Sequence, residues 1–122
     1  SYRIAVIDSR GEISGGGETD LGRNTDVLVT KDKAQGIEIA VRTLCPEIIA
    51  FDEIGSADEL AKVSESFLAG VSIITTAHIG SASELTHRRV TRELLSSGAI
   101  GSIALLPEMI GGKIGFLPAK AV

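Results

Sequence analysis

The sequence predicts an α/β fold: a mostly parallel sheet flanked by helices, with a β-hairpin at the C-terminal end. Three observations predict it. Apolar runs of strand length recur near residues 4–7, 48–51, 71–77 and 100–106. The stretches between them carry apolar residues at helical spacing, bounded by start and stop signals. The last two strand-like runs, residues 100–106 and 113–117, are separated by a short turn. Strands that alternate with helices form βαβ units, because a parallel pair needs a crossover connection. The 122 residues suit one small domain, 1–122.

Taken in order, residues 3–8 read as a short buried strand that ends on Asp8. Residues 9–30 are rich in Gly, Asp, Ser and Thr, and Gly15-Gly16-Gly17 marks a flexible loop. Val27-Leu28-Val29 adds a short strand within it. Asp32 with Gln35 is a capping arrangement, and Ala34, Ile37, Val41 and Leu44 then share a helix face that Pro46 ends. Ile48-Ile49-Ala50-Phe51 is the next strand, closing on Asp52-Glu53. Ser56 and Glu59 cap a second helix that Gly70 terminates. A strand over residues 71–77 leads to His78. Ser81 and Glu84 repeat the capping spacing, which predicts one helix over residues 81–97 with Gly98 as its stop.

Composition narrows the function classes. The net charge of −4 argues against bulk nucleic-acid binding, which needs a basic surface. Three phenylalanines and one tyrosine supply no platform for stacking bases. The one cysteine, Cys45, rules out an internal disulfide and points to a reducing compartment. No apolar run approaches the ~20 residues of a membrane-spanning helix.

In open α/β sheets ligands bind beyond the carboxyl ends of the strands. Three strands here end on polar groups: Asp8, Asp52-Glu53 and Thr75-Thr76-Ala77-His78. An apolar run followed by Asp-Glu has the form of a Walker B strand. Asp52 there suits a Mg²⁺ ion, and Glu53 suits activation of the water that attacks a terminal phosphate. Equally, acids commonly end buried strands as helix caps. His78 is placed to sense that phosphate, and a satisfied polar residue at a sheet edge is the simpler reading. Arg23, in the polar loop, could reach phosphate across a subunit boundary or be a solvated charge. Arg88, Arg89 and Arg92 read as an exposed helix face. A phosphate-binding loop, G-x-x-x-x-G-K-[ST], does not occur in this sequence. Its single Gly-Lys, Gly112-Lys113, is followed by Ile114, and Pro107 stands in place of the first glycine.

The run Arg3-Ile4-Ala5-Val6-Ile7-Asp8 resembles the stage III sporulation protein AA family, as do Gly22-Arg23-Asn24-Thr25-Asp26-Val27-Leu28 and Gly36-Ile37-Glu38-Ile39-Ala40-Val41-Arg42. So do Pro46 through Gly55 and the strand from Gly70 to His78. That family is similar to the type II and type IV pilus secretion ATPases, which are RecA-like hexamers. The resemblance implies the C-terminal half of a RecA-like P-loop ATPase domain, with the Walker A loop expected upstream of Ser1. By itself this chain is then expected to be inactive. The resemblance further implies ATP and Mg²⁺ as cofactors, with Asp52 as the metal-binding acid, Glu53 as the catalytic acid and His78 in the His-box position. Asp8 falls where these ATPases carry an acidic box, although Ser9 departs from the acid expected beside it; Asp8 and Arg23 are the expected nucleotide-binding groups.

The implied role is ATP hydrolysis that powers a sporulation-specific, secretion-like complex at the septal membrane, from the mother-cell cytoplasm. A homo-oligomer, a hexamer by resemblance, and the membrane complex are the expected partners, without nucleic acid. Two other readings stand beside it. One is a packing or assembly module that does not use nucleotide. The other is a relative joined to an R3H nucleic-acid domain, which would need a basic, aromatic segment that this sequence lacks.

Overall fold

A computed structural model describes residues 1–16 and 18–122. Gly17, the last of the three consecutive glycines, lies outside the described residues; Gly15 and Gly16 both have positive φ, as the predicted loop requires. The chain forms two compact units, Ser1–His78 and Ile79–Val122.

The first unit is built on a parallel sheet in the order β2-β1-β3-β4. Its strands are β1 (Ile4–Asp8), β2 (Thr25–Val29), β3 (Ile48–Phe51) and β4 (Ser72–Ile74). Ile4 pairs with Thr25 on one side and Ile48 on the other, and Ile48 pairs with Ser72. Ala5, Val6 and Ile7 point alternately to opposite faces, yet all are buried. Both faces of β1 are therefore covered, which explains its uninterrupted apolar run.

Helix α1 (Lys33–Ile39) joins β2 to β3, and α2 (Ala57–Leu68) joins β3 to β4. The Asp32 side chain accepts the Gln35 amide at 3.0 Å, so the predicted start of α1 is real. Gly36 allows α1 to lie close on the sheet. A Cβ there would stand 2.8 Å from Thr30 Cγ2 and 2.9 Å from Ile7 Cγ2. Beyond α1 the chain widens into a single π turn, Ala40–Leu44, and ends on Cys45 in the left-handed region. Ile37, Ala40 and Val63 are completely buried where α1 and α2 meet.

For α2 the sequence spacing is also realised. Ser56 Oγ accepts the Glu59 amide at 3.2 Å. Glu59 reaches back to accept the Gly55 amide at 2.8 Å, one residue before the cap itself. Gly70, at φ 87°, then turns the chain into β4, and the Val71 amide returns to the Ser66 carbonyl.

Two expectations are corrected. The strand predicted over residues 71–77 keeps ladder pairing only at Ser72–Ile74. Past Ile74 the chain is anchored through a side chain: Thr75 Oγ1 donates to the Asp52 carbonyl at 2.9 Å. In the second unit, the single helix predicted over 81–97 is two, α3 (Glu84–His87) and α4 (Arg89–Ser96). Arg88 between them is extended at ψ 129°, and the Thr91 hydroxyl donates to the Leu85 carbonyl at 2.6 Å across the break. Ser81 is not the cap; Ser83 occupies that position without a side-chain bond to the helix.

The same unit ends in the predicted hairpin, β5 (Ser102–Leu105) against β6 (Gly115–Pro118), antiparallel, with Ile103 opposite Leu117. Among the described residues no helix is long and apolar enough to cross a membrane.

Candidate functional site

Because β1 to β4 all run parallel, their carboxyl ends share one edge of the sheet. A cavity of about 580 Å³ opens along that edge. Its wall brings together Asp52 and Glu53 from the end of β3, and Thr76 and His78 from beyond β4. Ser9, Arg10 and Glu12 enter from the loop after β1, Lys31 from after β2, and Lys33 from the first turn of α1. Every side chain on this wall is polar. Asp52, Glu53 and His78, which close two different strands, thus face one space. A sheet edge that carries three acids and three cations is suited to a phosphorylated ligand that carries a divalent metal.

Asp52 is held from several directions. Ser9 Oγ donates to its Oδ2 at 2.9 Å. Lys33 Nζ lies 3.2 Å from Oδ1. That contact is a charge pair without hydrogen-bond alignment, since Oδ1 is buried and has no hydrogen-bond partner. Lys33 also donates to the Glu53 backbone carbonyl and lies 3.7 Å from Glu59 Oε2. The carbonyl of Asp52 accepts from Thr75. One ammonium therefore ties the start of α1, the end of β3 and the first turn of α2.

Asp8 is placed otherwise than Asp52. It ends β1 fully buried, and its carboxylate does not line the cavity. Its Oδ2 accepts both the amide of Ser14, at 2.9 Å, and the Ser14 hydroxyl, at 2.7 Å. Burial opposes ionisation here, but the Ser14 amide and hydroxyl, with the amides of Ile13 and Gly11 facing the group, outweigh it. The carboxyl is held below the ordinary aspartate range. A folded-state pKa below the unfolded one gives stability that is present above about pH 4 and lost as pH falls through the folded value. Asp8→Asn is accordingly expected to lower the denaturation midpoint at pH 7 and to flatten its fall between pH 5 and pH 2. An unchanged acid limb in the variant would remove Asp8 from that account.

Arg23 is exposed in the loop before β2 and is not among the residues lining the cavity. The sequence reading did not single out Lys33, Arg10 or Lys31, and it noted Ser9 only as a departure. Nothing local marks Lys33, because its acid partners lie far along the chain. The one available signal was position: Arg10 and Lys31 follow strands whose ends were already predicted to meet.

The residues present suit Mg²⁺ in a particular way. Among the described residues no group of three His, Cys, Asp or Glu side chains could form a cage for a metal. The site instead offers the hard oxygens of separate carboxylates, Asp52 among them, along the cavity wall. Mg²⁺ that keeps its waters and binds phosphate oxygens needs no more protein ligands than that.

Comparisons with known proteins agree with the fold. A solved structure of the ATPase DotB from Legionella pneumophila superposes with a TM-score of 0.54 at 20% identity, over 79% of this chain and 26% of that one. The likeness supports the parallel α/β core. The stage III sporulation protein AA of Bacillus subtilis (strain 168) is 33% identical over 96 residues, which is 75% of this chain. The chain spans about a third (31%) of that relative's length. The family model for sporulation stage III, protein AA, matches residues 1–114. With nearly the whole length matched and the expected sheet in place, this chain belongs to the sporulation stage III protein AA family.

Proposed function

We propose that the full-length protein hydrolyses ATP with Mg²⁺, and that this turnover drives a secretion-like complex during sporulation. The observation that carries the proposal is the convergence of Asp52, Glu53 and His78 on one cavity at the carboxyl edge of a parallel sheet. The likeness of the core to the fold of the ATPase DotB adds support.

Mg²⁺, when bound with the nucleotide, would draw charge from the terminal phosphates, and Asp52 is the residue that would hold it. The remaining work falls to this chain's own groups. Glu53 accepts a proton from the attacking water, and lies next to Asp52 so that water and metal are set together. His78 donates a hydrogen bond to the terminal phosphate from beyond the carboxyl end of the neighbouring strand, β4. Arg10 and Lys31, which have no carboxylate partner among the described residues, complement its charge.

The test is phosphate release by the full-length protein. Turnover that requires Mg²⁺ and is lost in Asp52→Asn is expected. A full-length protein that neither binds nor hydrolyses ATP overturns the proposal.

A further inference from the structure

We propose that Lys33 is a resident counter-cation for Asp52, holding the carboxylate in the place of the metal and exchanged for it when the metal arrives. The inference rests on the reading of Asp52 as the metal-holding acid. Both Asp52 oxygens have partners within the chain: Ser9 on Oδ2 at 2.9 Å, and the Lys33 ammonium on Oδ1 at 3.2 Å. The Lys33 side chain is only 14% exposed, and that of Asp52 only 22%. An ion pair this shielded is much less screened than a surface pair.

A divalent ion approaching Oδ1 meets a positive charge already seated there. At the effective dielectric of a half-buried site, like charges about 4 Å apart repel one another appreciably. Metal and ammonium cannot share Oδ1 without that cost, so one displaces the other. Lys33 has somewhere to go. Glu59 Oε2, 3.7 Å away, remains as a second anionic partner, and Lys33 itself lines the cavity wall, where a phosphate would lie. Arrival of a metal–phosphate ligand thus exchanges one set of ion pairs for another: metal on Asp52, ammonium on Glu59 and phosphate. Where no metal sits on Asp52, the same ammonium compensates the carboxylate, whose Oδ1 is buried.

The test measures metal binding without nucleotide. Mn²⁺, a paramagnetic substitute for Mg²⁺, is titrated into the full-length protein and its Lys33→Met variant, and free Mn²⁺ is followed by electron paramagnetic resonance. Lys33→Met is expected to bind Mn²⁺ about tenfold more tightly, since the competing charge is gone. Asp52→Asn should lose this site in both backgrounds. Mn²⁺ affinity that is unchanged or weaker in a folded Lys33→Met protein overturns the exchange.

A second measurement uses the unaltered protein and covers a variant that fails to fold. Acylation of Lys33 by an amine-reactive reagent, read by mass spectrometry, should rise at saturating Mg²⁺, and not in Asp52→Asn. No change in Lys33 labelling with Mg²⁺ likewise overturns the proposal. Because neither measurement contains ATP, its failure is separate from that of the ATPase reading, which rests on nucleotide turnover.

Discussion

Glu53→Gln in the full-length protein is expected to reduce ATP turnover by about 10²–10⁴-fold while leaving nucleotide binding intact. The amide keeps the size of the acid and loses its capacity to accept a proton from water. The Lys33 contacts survive, because Lys33 meets Glu53 through the backbone carbonyl and Asp52 and Glu59 through their carboxylates. ATP affinity measured by calorimetry should therefore stay near that of the unaltered protein. Turnover within a few-fold of the original would remove Glu53 from the role of catalytic acid. A joint loss of binding and turnover would instead place its effect on the ligand's seat.

Ile37→Ala has the largest expected effect on stability, a loss of about 2–5 kcal/mol. Ile37 is completely buried, on the face of α1 that meets α2 and the sheet. Removal of its branched end leaves a cavity that the neighbours cannot close, because Gly36 already brings α1 into contact distance of Ile7 and Thr30. The consequence reaches the site. Lys33 begins this helix, so a helix that shifts on its core face moves the ammonium away from Asp52. Chemical denaturation measures the loss. A midpoint change equivalent to under about 1 kcal/mol would mean that α1 is held chiefly by its ends.

How much was legible in advance depended on range. The caps at Asp32 and Ser56 were readable because a short side chain that bonds an amide three residues on is a local event. The buried strand at residues 4–8 was readable because no polar residue interrupts it. The break at Arg88 was not, since no glycine or proline marks it; the extended backbone of Arg88 and the Thr91 hydroxyl bonded to the Leu85 carbonyl reveal it. The strand after Val71 was read too long for a related reason: β4 is the edge of its sheet, and Thr75 leaves the ladder to bond β3.

From the sequence alone came the class of fold, the order of its strands and helices, and the chemistry waiting at the strand ends, because hydrophobic period and turn residues act over a few positions. Tertiary structure decided which of those ends face one another. It drew Asp52, Glu53 and His78 into a single cavity, turned Asp8 away beneath Ser14, left Arg23 outside, and set Lys33 against Asp52. Apart from the Asp8–Ser14 pair, these arrangements relate residues far apart in the chain. No local pattern encodes them, since parallel pairing and the burial of one helix face determine where each side chain arrives.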